Sequence, residues 1–192
     1  MKTLRIPLLL AVLALLLNSC GYNTMVEQQE TVDQKWANVQ TQYQRRADLI
    51  DNLVATVKGA AENEKSILTD VIEARSKATS MNINADELTP ENIKKFQDAQ
   101  SQLSGAFSKL MVSVERYPDI KSNQNFRDLQ VQIEGTENRI AVARTDFNTA
   151  VKEYNAYIRK IPQNIIAGFA GFEKKGYFEA DSGSEKAPKV EF

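Results

Sequence analysis

Apolar side chains in the first half of the chain fall at Val32, Trp36, Val39, Tyr43, Ala47, Ile50, Val54, Val57 and Ala61, then at Leu68 and Val71. The steps alternate between three and four residues, which puts them on one helical stripe close to a heptad. After Gly21 no glycine occurs before Gly59 and no proline before Pro90. Glu64 breaks the stripe once, and Gly59 is tolerated inside a helix at a cost of about 1 kcal/mol, so a kink can form there. The pattern predicts one helix from about residue 23 to about residue 80, roughly 85 Å long.

Residues 81–88 are a polar connector. Thr89, Pro90 and Glu91 then give a strong helix start: a hydroxyl to cap free N–H groups, a proline suited to the first helical position, and an acid at the positive helix end. The second stripe is Ile93, Phe96, Gln100, Leu103, Phe107, Leu110, Val114 and Tyr117, ended by Pro118. Ser122 or Asn123 caps a third helix, whose stripe is Phe126, Leu129, Ile133, Ile140, Ala143, Phe147, Val151, Tyr154, Ile158 and Ile161, stopped by Pro162. Three amphipathic helices joined by short links must bury their stripes on one another. The first is longer than its partners and needs further cover. Residues 163–178, dense in Ile165, Ile166, Phe169, Phe172, Tyr177 and Phe178, read as a short fourth helix and a turn that cap the bundle. The predicted fold is all-α, an elongated antiparallel bundle of three long helices plus a short C-terminal one. It occupies residues 20–178, followed by a polar tail over 179–192.

The chain has 192 residues, with 24 basic and 25 acidic side chains. That balance lacks the clustered basic charge of a nucleic-acid footprint. Residues 1–19 read as an export signal: Lys2 and Arg5 form a positive start, and an unbroken apolar run follows over 6–17. As a helix that run spans roughly 18 Å, short of a hydrocarbon core of roughly 30 Å. Leu17-Asn18-Ser19-Cys20 resembles a lipobox, in which a small residue precedes a cysteine whose thiol is acylated and which becomes the mature N-terminus. Asn18 is a mild departure from the commonest small residues there. Cys20 is the one cysteine, so an intrachain disulfide is ruled out. Two or more acyl chains on it anchor stably. The expected placement is a lipid anchor facing the periplasm. Gly21, where an acid would retain enteric lipoproteins in the inner membrane, favours the outer membrane.

Candidate chemistry is sparse. The chain has no histidine, which removes Ser–His and Cys–His pairs and the usual zinc sets. No phosphate-cradling glycine loop is present, and no cofactor is expected. Glu134 and Glu137 lie one helical turn apart and leave carboxylate-only catalysis as the enzymatic alternative. Two stretches place polar groups beside core positions. Arg45, Arg46, Asp48 and Asn52 do so in the first helix, and Glu137, Arg144, Asn148 and Asn155 in the third. Across an antiparallel interface they would pair Arg45 or Arg46 with Glu137, and Asp48 with Arg144. Such groups form either a network that sets register or a partner-binding patch. Val190 and Phe192, apolar at the last and third-last positions, form a candidate C-terminal ligand for a strand-adding groove.

These stretches coincide with a family pattern. Its blocks are Tyr22-Asn23, Trp36 with Val39, Arg45-Arg46-Ala47-Asp48-Leu49-Ile50 with Asn52-Leu53-Val54, Val57-Lys58-Gly59, Glu64 and Ala74-Arg75. They continue through Tyr117-Pro118-Asp119-Ile120-Lys121, Phe126, Leu129-Gln130, Glu134-Gly135-Thr136-Glu137-Asn138-Arg139-Ile140-Ala141 and Ala143-Arg144. Phe147-Asn148, Val151, Tyr154-Asn155, Pro162, Tyr177-Phe178 and Pro188-Lys189-Val190-Glu191-Phe192 complete them. In these blocks the chain resembles the LemA family. Asp51 departs from the proline usual after the Asp-Leu-Ile run and should leave the helix straighter. The resemblance implies a membrane-anchored, left-handed helical bundle and adds no activity. Many members keep an uncleaved membrane helix, whereas this chain looks lipidated. The expected role is a lipidated scaffold or interaction module with unidentified envelope proteins as partners. The alternatives are an adaptor for an envelope protease or chaperone, a carboxylate enzyme, and self-association through the exposed part of the first helix.

Overall fold

The computed structural model describes the backbone of residues 5–58 and 65–180, and side chains from residue 21 onward. Six α-helices appear in this order: α1 (Arg5–Lys58), α2 (Lys65–Ser80), α3 (Pro90–Val114), α4 (Pro118–Ser122), α5 (Gln124–Tyr157) and α6 (Gln163–Ala170). No strand occurs among the described residues, so the chain is all-α. The predicted starts hold. Thr89 caps α3 through its side chain, which accepts from the Asn92 N–H, with Pro90 at the first turn, and Asn123 caps α5 by accepting from the Asn125 and Phe126 N–H groups.

The single helix expected over 23–80 is corrected. After α1 the chain doubles back: Arg75 of α2 donates to the Ala47 carbonyl at 3.2 Å, and the Trp36 indole donates to the Ile83 carbonyl at 2.9 Å. The physical reason is burial. From Gly21 to Lys58 α1 already runs roughly 57 Å, which the 34 residues of α5, roughly 51 Å, nearly match. A straight continuation would leave Leu68 and Val71 with no helix to cover them. Folded back, both are buried. Gly59, Ala61 and Glu64 lie outside the described residues. Asp51 sits inside an unbroken α1, as its replacement of proline predicts, and its carboxylate lies 3.6 Å from Arg75.

The result is an up-down-up-down arrangement in which α1 pairs with α5 and α2 with α3. Its apolar interior falls into two clusters. The lower one, near Gly21, holds Met25, Trp36, Tyr43, Phe96, Ile140, Phe147 and Tyr154, while the upper holds Ile50, Leu53, Val57, Val71, Leu103, Leu110, Phe126 and Ile133. The described stripe residues are buried as expected, with Phe107, Tyr117 and Leu129 only partly so, except at Ile161, which is 84% exposed. Ile161 follows the end of α5, where the chain has left helical geometry and joins Pro162 through a cis bond.

Residues 163–178 do not form a helix and turn alone. Gly171, at φ +78°, ends α6, and the chain then runs extended as a strap over 172–180. The strap lies antiparallel to α5 and parallel to α3, and Gly176 donates its N–H to the Leu88 carbonyl at 2.8 Å. This is a close backbone crossing: a Cβ on Gly176 would sit 2.7 Å from the Pro90 Cα. Gly176→Ala is therefore expected to destabilise by about 1–3 kcal/mol through overpacking. Thermal unfolding followed by circular dichroism checks this, with a fall of about 2–4 °C per kcal/mol expected for a chain of this size.

Candidate functional site

The polar residues singled out in the sequence separate into two groups. Arg46 points inward from α1 and is 3% exposed. Its guanidinium donates to Glu137 of α5 at 3.0 Å, to the Ser104 hydroxyl of α3 at 3.0 Å, and to the Gln100 side-chain oxygen at 2.7 Å. It also reaches the Gln100 carbonyl at 3.3 Å and lies 5.0 Å over the Tyr43 ring. Gln100 in turn donates to the Ala78 carbonyl of α2 at 3.2 Å. One buried cation thus ties together four helices. The layer it forms falls between the two apolar clusters, with Tyr43, Phe96 and Ile140 below and Ile50, Leu103 and Ile133 above.

The expected Arg46–Glu137 pair is present, whereas the expected Asp48–Arg144 pair is not. Asp48 is exposed, accepts from Gln44 at 2.8 Å and lies 3.9 Å from Arg75. With Arg45 and Asn52 it lines an open cleft of about 870 Å³ beside the end of α2. These three therefore stand apart from the α5 group. The reason is rotational: Asp48 lies two residues from Arg46, about 200° around the helix, and so points to a different interface.

Arg144, Asn148 and Asn155 serve the strap. The Asn155 side chain accepts from the Lys175 N–H at 3.0 Å and donates to the Lys175 carbonyl at 2.9 Å. Asn148 does the same with Phe178, at 2.9 Å for both bonds. Gln97 of α3 repeats the pattern with Glu179, at 3.2 and 3.0 Å, and Arg144 donates to the same carbonyl at 2.8 Å. The registers match. Two helical turns between Asn148 and Asn155 cover about 10.5 Å, and three extended residues from Lys175 to Phe178 cover about 10 Å. Side-chain amides here satisfy the backbone of an extended segment that has no sheet to join. The strap remains held through Glu179, the first residue of the predicted tail. Phe178 inserts between Trp36, Phe96 and Phe147, with ring centroids 5.5–6.3 Å apart, and Arg144 covers it at 5.0 Å.

Gln97, Ser104 and Lys175 had no signal in the sequence. Gln97 and Ser104 flank the α3 stripe like any surface residue, and Lys175 is buried because its amine reaches the Ala85 carbonyl at 2.7 Å. Just past the strap, Tyr43, Arg46, Gln97, Gln100, Ser101, Ser104, Glu137, Ile140 and Arg144 line a cleft of about 230 Å³. Glu134 is exposed and accepts from Gln130 at 3.1 Å. It does not share a closed cleft with Glu137, which is itself 48% exposed. Val190 and Phe192, and the side chain of Cys20, lie outside the described residues.

A family model for LemA matches residues 35–192, a span that contains every element from the Arg46 layer to the strap. The chain belongs to the LemA family. Two MamQ magnetosome proteins of Paramagnetospirillum magneticum are each 29% identical to this LemA chain over 175 residues, 82% of it and 64% of their own length. MamQ of Magnetospirillum gryphiswaldense is 26% identical over 174 residues, with the same coverage. The LemA chain thus spans somewhat less than two thirds of these curated relatives. No helix among its described residues is long and apolar enough to cross a membrane.

Two titratable groups behind the strap are perturbed. Burial raises the Asp33 carboxyl above its ordinary value, opposed by nearby Lys175 and reinforced by Glu30 and Asp86. Burial, with the charges of Asp33 and Glu173, pushes the Tyr154 hydroxyl up to about 12.

Two predictions follow from this geometry. Arg46→Lys keeps the charge but replaces a planar fork by a point donor that cannot reach all four acceptors. It should lower stability by about 1–3 kcal/mol in chemical denaturation, the cost of leaving buried polar groups unpaired. The second concerns pH. The folded chain holds the Asp33 proton more tightly than the unfolded chain, so this group's contribution to stability is lost as pH rises through the window just above 3.8. Asp33→Asn should therefore raise the melting temperature at neutral pH and have little effect below that window.

Proposed function

We propose that this LemA chain is a lipid-anchored helical interaction module of the bacterial envelope, acting by placement and binding rather than by catalysis. The observation that carries the reading is the continuity of α1. The chain is already helical at Cys20 and runs from there into the core of the bundle without an intervening linker. With the lipid on Cys20 at the start of this helix, the bundle stands close to the membrane surface.

Further features support it. The interior is filled by two apolar clusters and one polar layer whose members bond to one another. The candidate carboxylates are spread on the surface, where a reacting group would stay in bulk water. Long helical faces offer extended surface to helical or strand-like partners. The relatives named as magnetosome proteins suit a membrane setting for the fold.

Metabolic labelling with a clickable palmitate tests the anchor. The wild-type chain should be labelled and should float with membranes, and Cys20→Ala should lose the label. An unlabelled wild type would remove the lipid from this reading.

A further inference from the structure

An exposed apolar face lies at the end of the bundle next to Gly21. Phe169 is 90% exposed, Ile161 84% and Ile165 58%. Ile165 and Phe169 are one helical turn apart on α6 and so share a face, and Ile161 precedes them by four residues. The opposite face of α6 is committed to the fold: Ala167 is buried and Ile166 packs on the lower cluster. A Cβ on Gly21 would lie 3.6 Å from Ile166 and 3.8 Å from Gln163. α6 is thus docked against α1 one residue from Cys20. Tyr22, 46% exposed, packs edge-on to Phe172 at 5.6 Å beside it.

We infer that α6 is an interfacial helix, lying in the bilayer surface with Ile161, Ile165 and Phe169 inserted among lipid chains. This rests on the anchoring reading above. The occupant is argued from position. Whether the membrane is held by acyl chains on Cys20 or by the apolar run over 6–17, its surface meets the bundle at Gly21, and α6 is the element packed there. The charges around this end are mixed, with Arg159, Lys160 and Lys174 exposed beside the acids Glu27, Glu30 and Glu173. An apolar helix face held at a membrane surface buries roughly 5–10 Å into the headgroup boundary. A soluble chain would bear the cost of presenting three large apolar side chains to water, whereas an anchored one buries them without any new protein contact. The single tether then becomes a two-point attachment that fixes the tilt of the bundle on the membrane.

The test uses the full anchored chain in vesicles of phosphatidylcholine and phosphatidylglycerol with brominated acyl chains. Trp36 is the one native tryptophan and is 2% exposed, so it supplies a quiet background. Phe169→Trp and, as a second reporter, Ile161→Trp should shift to the blue and be about twofold quenched, as side chains at the acyl boundary are. Val131→Trp, replacing a side chain 66% exposed on the upper half of α5, should be unaffected. If the chain floats with the vesicles and neither lower reporter is quenched, the α6 inference fails and the anchor stands. If the chain does not float, the anchoring reading fails and takes the inference with it. A concentration-dependent blue shift without quenching would assign the face to a second copy of the chain and overturn the proposal.

Discussion

Arg46 is the constraint on which the bundle depends. A guanidinium removed from water costs several kcal/mol unless its donors are met. Its acceptors come from α3 and α5, and Gln100 extends the layer to α2. Apolar stripes alone allow helices to slide by a turn, about 5.4 Å, and still bury much the same surface. Such a slide would strip Arg46 of Glu137 or Gln100. The polar layer therefore sets the relative height of the helices. The two apolar clusters are what remains of the interior above and below it.

The strap solves a second problem. An extended segment on a helical bundle has backbone N–H and C=O groups with no neighbouring strand to satisfy them. Asn148, Asn155 and Gln97 each present both a donor and an acceptor to one strap residue. The match between two helical turns and three extended residues lets successive amides on one helix do this in register. With its backbone satisfied, the strap delivers Phe178 into the aromatic group around Trp36. The C-terminal part of the LemA domain is in this way a component of its core and bridges the gap between α3 and α5.

The two halves of the bundle differ in kind. The lower half carries the strap, the aromatic cluster, the perturbed Asp33 and Tyr154, and the exposed face of α6. The upper half is packed mainly by aliphatic side chains around Phe126, with Phe107 and Tyr117 at its edge, and is capped by α4. Specialised chemistry thus gathers at the end of the bundle near Gly21.

By itself the sequence determined the helical class, the buried stripes, and the helix starts at Thr89-Pro90 and Asn123. These depend on local periodicity and capping, which are written in neighbouring residues. It also carried the Arg46–Glu137 pair, because opposite charges beside two stripes of an antiparallel pair meet when the stripes do. Tertiary structure alone decided the rest. The return of α2 along α1 leaves the three/four spacing unchanged, so periodicity cannot distinguish a straight helix from a hairpin. Asp48 and Arg144 parted because helix rotation relative to two different partners is a property of the assembled bundle. The strap has no period, and Gln97 and Ser104 look like any polar surface residue until an acceptor or donor is brought opposite. Ile161 read as core by spacing and became surface because the chain leaves the helix before it. Periodicity reports which side of a helix is buried only where the helix persists and another element lies across from it.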